Sequence, residues 1–264
     1  MKAAAAAADF ARRPAPGLVV LLYHQVDGVK PSSVNLSAER FHRQLAYLQS
    51  NGGVDTLADG VAAVRRGDGS LDRRPRVVVT FDDGTADFVD AALPLLERFG
   101  VPATLYVATR WIDEGRSFWD DGTVLSWAGL RDALSTGLVT IGSHTHSHAL
   151  LDRLPPDQIA GELDRSIGLI EDNLGVTPHH FAYPKALAPS LSADLAVRHR
   201  FESAAIARTR ANPYRATDPF MLTRSPIQVN DGMVWFRRKV AGGLGLEDDL
   251  RELANRRRYV GATR

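Results

Sequence analysis

The chain has no cysteine in its 264 residues. That excludes disulfides, thiolate nucleophiles and cysteine-ligated metals, so any bound metal must use histidine and carboxylate. Long apolar runs are missing too. Nothing approaches the ~18 apolar residues of a membrane-spanning helix. Met1-Lys2 is followed by alanines only from Ala3 to Ala8 and then Asp9. That is too short and too weakly apolar for the ~7–15-residue core of a signal peptide, so the expectation is a cytoplasmic chain. There is also no excess of charge. Lys and Arg number 32 against 31 Asp and Glu, a formal net charge of +1. Such a molecule has no general field favouring nucleic acid, and no nucleic-acid partner is expected. The remaining composition, 44% hydrophobic and 24% charged, is that of a globular chain with one large core.

The most informative stretch is Arg76-Val-Val-Val-Thr-Phe-Asp-Asp-Gly84. A β-branched run of this kind reads as a strand buried on both faces, as in a parallel sheet. It stops on two adjacent carboxylates, Asp82 and Asp83. The carboxyl end of a buried strand is where α/β folds place their chemistry. Adjacent carboxylates repel, so both stay ionised only beside a compensating cation. A divalent metal on one would leave the other free as a general base. The same residues also suit a strand-end turn with a helix cap.

Val139-Thr-Ile-Gly-Ser-His-Thr-His-Ser-His148 is a second short apolar strand, ending in histidines at alternate positions. Imidazole is the commonest side-chain ligand for zinc-like metals. His144 and His148 can converge on one ion, and two His with one Asp leave coordination positions open. Alternation along an extended stretch puts His146 on the same side, so spacing leaves it as an alternative ligand.

Together, Thr80-Phe-Asp-Asp-Gly84 and His144-Thr-His-Ser-His148 resemble the motifs of the polysaccharide deacetylases of carbohydrate esterase family four. Leu22-Tyr-His-Gln-Val26 and Phe181-Ala-Tyr-Pro184 resemble the branch containing bacterial poly-N-acetylglucosamine deacetylases. The resemblance runs from Leu18 to about Val229. It implies a distorted (β/α) barrel of seven or eight strands in a single domain. It also implies a metal-dependent hydrolase that removes N-acetyl groups from an amino-sugar glycan or glycoside. Under it, one divalent metal ion, with zinc expected, is held by Asp83, His144 and His148, and Asp82 is the base. Tyr183, Pro184 and Lys185 align with a substrate-side motif in which the Lys185 backbone N–H serves the oxyanion. Trp119, in a loop that also holds Trp111 and Trp127, is a candidate for stacking on a sugar ring. The alternatives are a binding module that retains the metal site, and a hydrolase of a non-sugar C–N bond.

The chain departs from the family pattern in three places. The Arg that orients the base in Arg-x-Pro-Tyr is absent, since Ala182 aligns there. The Tyr of that motif is Lys185. The His of Leu-x-His, the family's general acid, is Arg224, and an Arg does not readily release a proton. His24, at the end of the first strand, is therefore the candidate acid, taken to titrate near ~6.5.

Helical periodicity and turn residues place helices at Leu57 to Arg66, Ala91 to Phe99, Asp157 to Leu174 and Ser192 to Arg200. Late strands are expected at Ala204–Ala207 and Ile227–Val229. Residues 1–16 read as a tail, 17–234 as the barrel and 235–264 as a basic helical extension. That extension, with Arg237-Arg-Lys239 and Arg256-Arg-Arg258, is a candidate for contact with an anionic membrane surface.

Overall fold

The structure is a computed structural model that describes residues 17–67, 75–116, 123–186 and 188–245. Its strands are β1 Gly17–Tyr23, β2 Gln25–Val26, β3 Asn35–Leu36, β4 Arg76–Phe81, β5 Ala103–Val107, β6 Val139–Ser143, β7 His180–Ala182, β8 Ser203–Ala207, β9 Asn212–Pro213 and β10 Leu222–Pro226. The helices are α1 Ala38–Ser50, α2 Leu57–Arg66, α3 Leu93–Phe99, α4 Thr109–Glu114, α5 Trp127–Ser135, α6 Pro156–Leu174, α7 Leu191–Arg198 and α8 Gly232–Val240.

β1, β4, β5, β6, β7, β8 and β10 pair in parallel in that order, and β10 returns to β1 to close the barrel. The expected single-domain barrel is therefore present with seven strands. β9 adds an antiparallel strand at the base of β1. There the Asn212 amide donates to the carbonyls of Leu18 and Thr223 and accepts from the Thr223 N–H. It thus satisfies backbone groups on both sides of the β1–β10 seam, where unpaired buried groups would be costly.

Alternation along the strands sorts residues into two layers. Inward-facing Leu18, Val20, Val78, Tyr106, Ala182, Ala205 and Leu222 form one apolar cluster, which α2 closes from below with Leu57, Val61 and Val64. α2 can lie this close because position 60 is glycine: a Cβ there would come within 2.9 Å of Leu18. Gly142 has a similar reason, since a Cβ would come within 2.5 Å of the Tyr106 ring that fills the barrel. Outward-facing residues pack under the helices, as Phe81 does against Tyr23, Phe41 and Phe88.

Several local expectations shift. Residues Phe88–Ala92 form a π-helical turn before α3, so the ordinary α-helix starts at Leu93 rather than Ala91. Thr109–Glu114 form α4, so Trp111, expected in a loop, sits on a short helix. The last barrel strand is Leu222–Pro226, whereas Val229–Asp231 is a 3-10 turn. Helix α8 begins at Gly232 and buries Phe236, Lys239 and Val240 against the barrel. Lys239 Nζ donates to the Pro226 carbonyl and pairs with Asp231 at 2.8 Å. Arg256–Arg258 lie outside the described residues, as do residues 1–16. No helix among the described residues is long and apolar enough to cross a membrane.

Candidate active site at the carboxyl end of the barrel

The ladders run past the strand ends and fix the site backbone. The Asp82 N–H donates to the Tyr23 carbonyl at 3.1 Å, and the His144 N–H to the Val107 carbonyl at 2.9 Å. Seven non-glycine residues have positive φ among those described. Four of them, Asp83, Thr145, His148 and Lys185, sit at these strand ends. Such conformations cost ~1 kcal/mol or more each and persist only where the surroundings enforce them. Here the enforcement is visible. Glu162 of α6 accepts from both the N–H and the hydroxyl of Ser147, each at 2.7 Å. The Arg110 N–H donates to the His146 carbonyl, and the Thr145 hydroxyl accepts the Ala149 N–H. Glu162 carried no signal in the sequence, because its role depends on how α6 packs.

Asp83, His144 and His148 converge. Their ligand atoms all lie within 4.8 Å of one another. His148 Nε2 is 3.5 Å and His144 Nε2 is 3.7 Å from Asp83 Oδ1. His144 Nδ1 lies 2.7 Å from the Ala182 carbonyl and must donate to it, so its tautomer presents Nε2 to the cluster. Burial disfavours the protonated form of both histidines: His144 is lowered below its ordinary pKa, and His148 falls to about 3, where protonation would also meet repulsion from a protonated His144 and from Lys185. Neutral imidazoles beside a carboxylate form a donor set that fits a divalent ion. It is the one His/carboxylate group of this kind among the described residues.

His146 is not part of this set. The left-handed turn at Thr145 breaks the alternation, and His146 Nδ1 bonds the Thr109 hydroxyl at 3.0 Å instead.

Asp82 is buried beside the cluster, with Oδ2 3.8 Å from His144 Nε2. Its partner is Arg224, at the position the family pattern gives to the general acid. The guanidinium is fully buried and grips both carboxylate oxygens, Nη1 to Oδ1 at 2.5 Å and Nη2 to Oδ2 at 2.8 Å. It also lies over the Tyr106 ring. Burial alone would raise the Asp82 pKa. The Arg224 charge overrides it, and Asp82 falls to about 2.

His24 follows β1, is half-buried, and feels the charges of Asp82, Arg224, His144 and Lys185. It is therefore at the same mouth. Its pKa is not the ordinary value: burial and the nearby cations push it down to about 4.

Of the expected substrate-side residues, Lys185 is exposed at the end of β7, in a left-handed turn. Pro184 is buried. Tyr183 lies elsewhere: its ring packs edge-on against Phe181 in the cluster under α6 and α7. Trp111 lies beside His148, with ring centroids 5.5 Å apart. Trp127 packs against the outer core, and Trp119 lies outside the described residues.

The model of the polysaccharide deacetylase family matches residues 70–204, just over half of the sequence. The chain belongs to that family. The poly-beta-1,6-N-acetyl-D-glucosamine N-deacetylase of Escherichia coli K12 is 30% identical over 148 residues, covering 51% of this chain and 22% of that protein. The polysaccharide-deacetylase-named protein YxkH of Bacillus subtilis is 25% identical over 170 residues, 63% of this chain and 56% of that one. The chain thus spans little more than half of one curated relative and under a quarter of the other. Among solved structures, IcaB from Ammonifex degensii superposes with a TM-score of 0.72 at 25% identity, covering 85% of this chain and 98% of that one. The Streptococcus pyogenes deacetylase PplD, at 20% identity and a TM-score of 0.74 with the same coverage, shares the fold.

Proposed function

We propose that the protein is a divalent-metal-dependent amidohydrolase that removes N-acetyl groups from an amino-sugar glycan or glycoside, yielding acetate and a free amine. The observation that carries this reading is the Asp83–His144–His148 cluster beside a buried carboxylate held ionised by Arg224.

Asp83, His144 and His148 would hold the ion, and zinc suits a nitrogen-and-carboxylate set. When bound, such an ion supplies a Lewis acid that polarises the amide carbonyl and acidifies water. Asp82 is the general base that accepts the proton of the attacking water. Arg224 keeps that base ionised and fixes its plane, the role its family gives to an Arg missing from position 182. His24 protonates the departing nitrogen, since expulsion of an amide anion is prohibitive. A proton taken by Asp82 passes to His24, which burial leaves neutral and able to accept one. The backbone N–H of Lys185, in its left-handed turn at the end of β7, serves the developing oxyanion.

The chemistry lies within residues 17–234, and the tail and the basic extension take no part in it. Arg237, exposed on α8, and its neighbour Arg238 are the candidates for contact with an anionic membrane.

Mass spectrometry of N-acetylated amino sugars and oligosaccharides after incubation with metal-loaded protein tests the proposal. Loss of one acetyl group with matching acetate supports it. Release of formate or ammonia from a non-sugar amide, with every acetylated sugar intact, overturns it.

A further inference from the structure

The two-pronged contact fixes Arg224 and Asp82 relative to each other, but not relative to the barrel. Asp82 is a short side chain at the end of β4. Arg224 reaches it from β10 on a long one with several rotatable bonds. Beyond the fork, its hydrogen bonding is thin. Nη1 is 3.5 Å from the Thr80 hydroxyl, the outer limit of such a bond. Nε is buried and has no hydrogen-bond partner among the described residues. What the guanidinium does have is a face contact. Its central carbon lies 5.2 Å from the centroid of the Tyr106 ring. A cation over an aromatic face at this range is attracted to it, most strongly where water is excluded, and both side chains are fully buried.

Tyr106 is itself held. It lies on β5, paired in register with Gly142 of β6. A Cβ at position 142 would come within 2.5 Å of ring Cδ1 and 2.7 Å of Cε1, so the ring lies directly against that glycine. Ala182 of β7 and Ala205 of β8 pack in the same cluster. Successive strands thus present small residues where the ring sits, and a close-packed socket of this kind holds it in one orientation. The Tyr106 hydroxyl is buried and makes no hydrogen bond to the described residues, so the ring face is the part of this side chain that the site can use.

We propose that Tyr106 is a positioning residue for the hydrolysis: its ring sets the plane of the Arg224 guanidinium, and through it the orientation of the Asp82 carboxylate toward the attacking water. This rests on the deacetylase reading and extends it to a residue that reaches the base through Arg224.

The test is acetate release from N-acetylated amino sugars by the full metal-loaded chain, with kcat and KM measured at matched metal content. Tyr106→Phe, Tyr106→Met, Arg224→Lys and the Tyr106→Met/Arg224→Lys double variant are compared with wild type. Tyr106→Phe keeps the ring and should stay within about twofold of wild type. Tyr106→Met fills the barrel without a ring face, and Tyr106→Leu replaces it as the ring-free variant should it not fold. Loss of the ring should lower kcat roughly tenfold or more and change KM by about twofold or less, since a misplaced base slows the chemistry. Lysine has no planar group to orient, so in the Arg224→Lys chain the same loss should lower kcat by about twofold or less. Equal losses in the two chains would show that the ring acts independently of Arg224 and would overturn the proposal. So would a wild-type kcat in the ring-free variant, or a Tyr106→Phe as slow as that variant. Urea midpoints of the same chains form a second cycle that needs no turnover. The ring should matter less to stability once position 224 is lysine, and additive shifts would overturn the contact on which the proposal stands. Wild type that releases no acetate from any sugar overturns the deacetylase reading instead, and the urea cycle then decides the Tyr106–Arg224 contact by itself.

Discussion

Arg224 and Asp82 lie 142 positions apart and meet inside the barrel as a fully buried guanidinium holding both oxygens of a buried carboxylate. The pair joins β10 to the end of β4 and sets the charge state of the proposed base. Arg224→Met should leave that carboxylate buried without a cation, at a cost of ~3–5 kcal/mol. Asp82→Asn combined with Arg224→Met should recover much of the loss, because neither charge then remains unpaired. Urea midpoints of the two single variants and the double variant check this. Equal stability of Arg224→Met and wild type would mean that the pair does not organise the barrel.

The same pair has a signature in pH. A carboxylate depressed to about 2 is ionised, and able to act as a base, across the neutral and mildly acidic range. Removing the cation raises its pKa, so the acid limb of the rate profile should move upward. In Arg224→Lys, which keeps the charge but loses the fork, the limb should move less than in Arg224→Met. The measurement is kcat/KM against pH for both variants, metal-loaded. Coincident acid limbs would contradict the assignment.

Much of this site was legible because its candidate ligands are local. Asp82-Asp83 and His144 to His148 each close a β-branched or apolar strand, and both strands fall where the residues place them. Arg224 was not legible. Leu222-Thr-Arg-Ser-Pro226 has no apolar alternation, since one face of this strand carries the site's own polar groups. The more apolar Ile227–Val229 therefore attracted the strand assignment. The family resemblance marks position 224 as a replaced general acid, but nothing in the strand pattern points to Asp82 as the partner of Arg224. For Tyr183, adjacency to Pro184 suggests the mouth, whereas its ring packs with Phe181 in the outer layer. His146 was left open because alternation holds only while the backbone stays extended, and the turn at Thr145 ends it.

His24→Ala should retain the three metal ligands and lose ~10²–10⁴-fold in kcat, the usual range for general acid–base catalysis. Because the site lowers His24 to about 4, no basic limb near 6.5 should be traceable to it. Single-turnover rates at matched metal content are the check. Wild-type turnover in His24→Ala would move the acid to another group.

His180 offers a stability prediction away from the metal donor set. It is buried at the start of β7, bonds Ser203 at 2.9 Å, and is lowered by burial to about 4. The unfolded chain takes up a proton near 6.5 and the native chain does not, so the native state loses stability as pH falls from 6.5 toward 4. Between pH 7 and pH 5 this one group should cost about 2 kcal/mol. His180→Asn, which keeps a polar group for Ser203, should show a smaller loss over that interval in urea titrations. An identical loss in the variant would assign the acid sensitivity to other groups.

The central claim is that Asp82 works as a base beside a metal it does not itself hold. Its most direct test is acetate release per bound metal by wild type and Asp82→Asn, on an N-acetylated amino sugar that the wild type deacetylates. The amide is nearly isosteric but cannot accept the proton. The account predicts equal metal content and a rate at least ~10²-fold lower in the variant. Asp82→Asn that binds metal and releases acetate at the wild-type rate would contradict it.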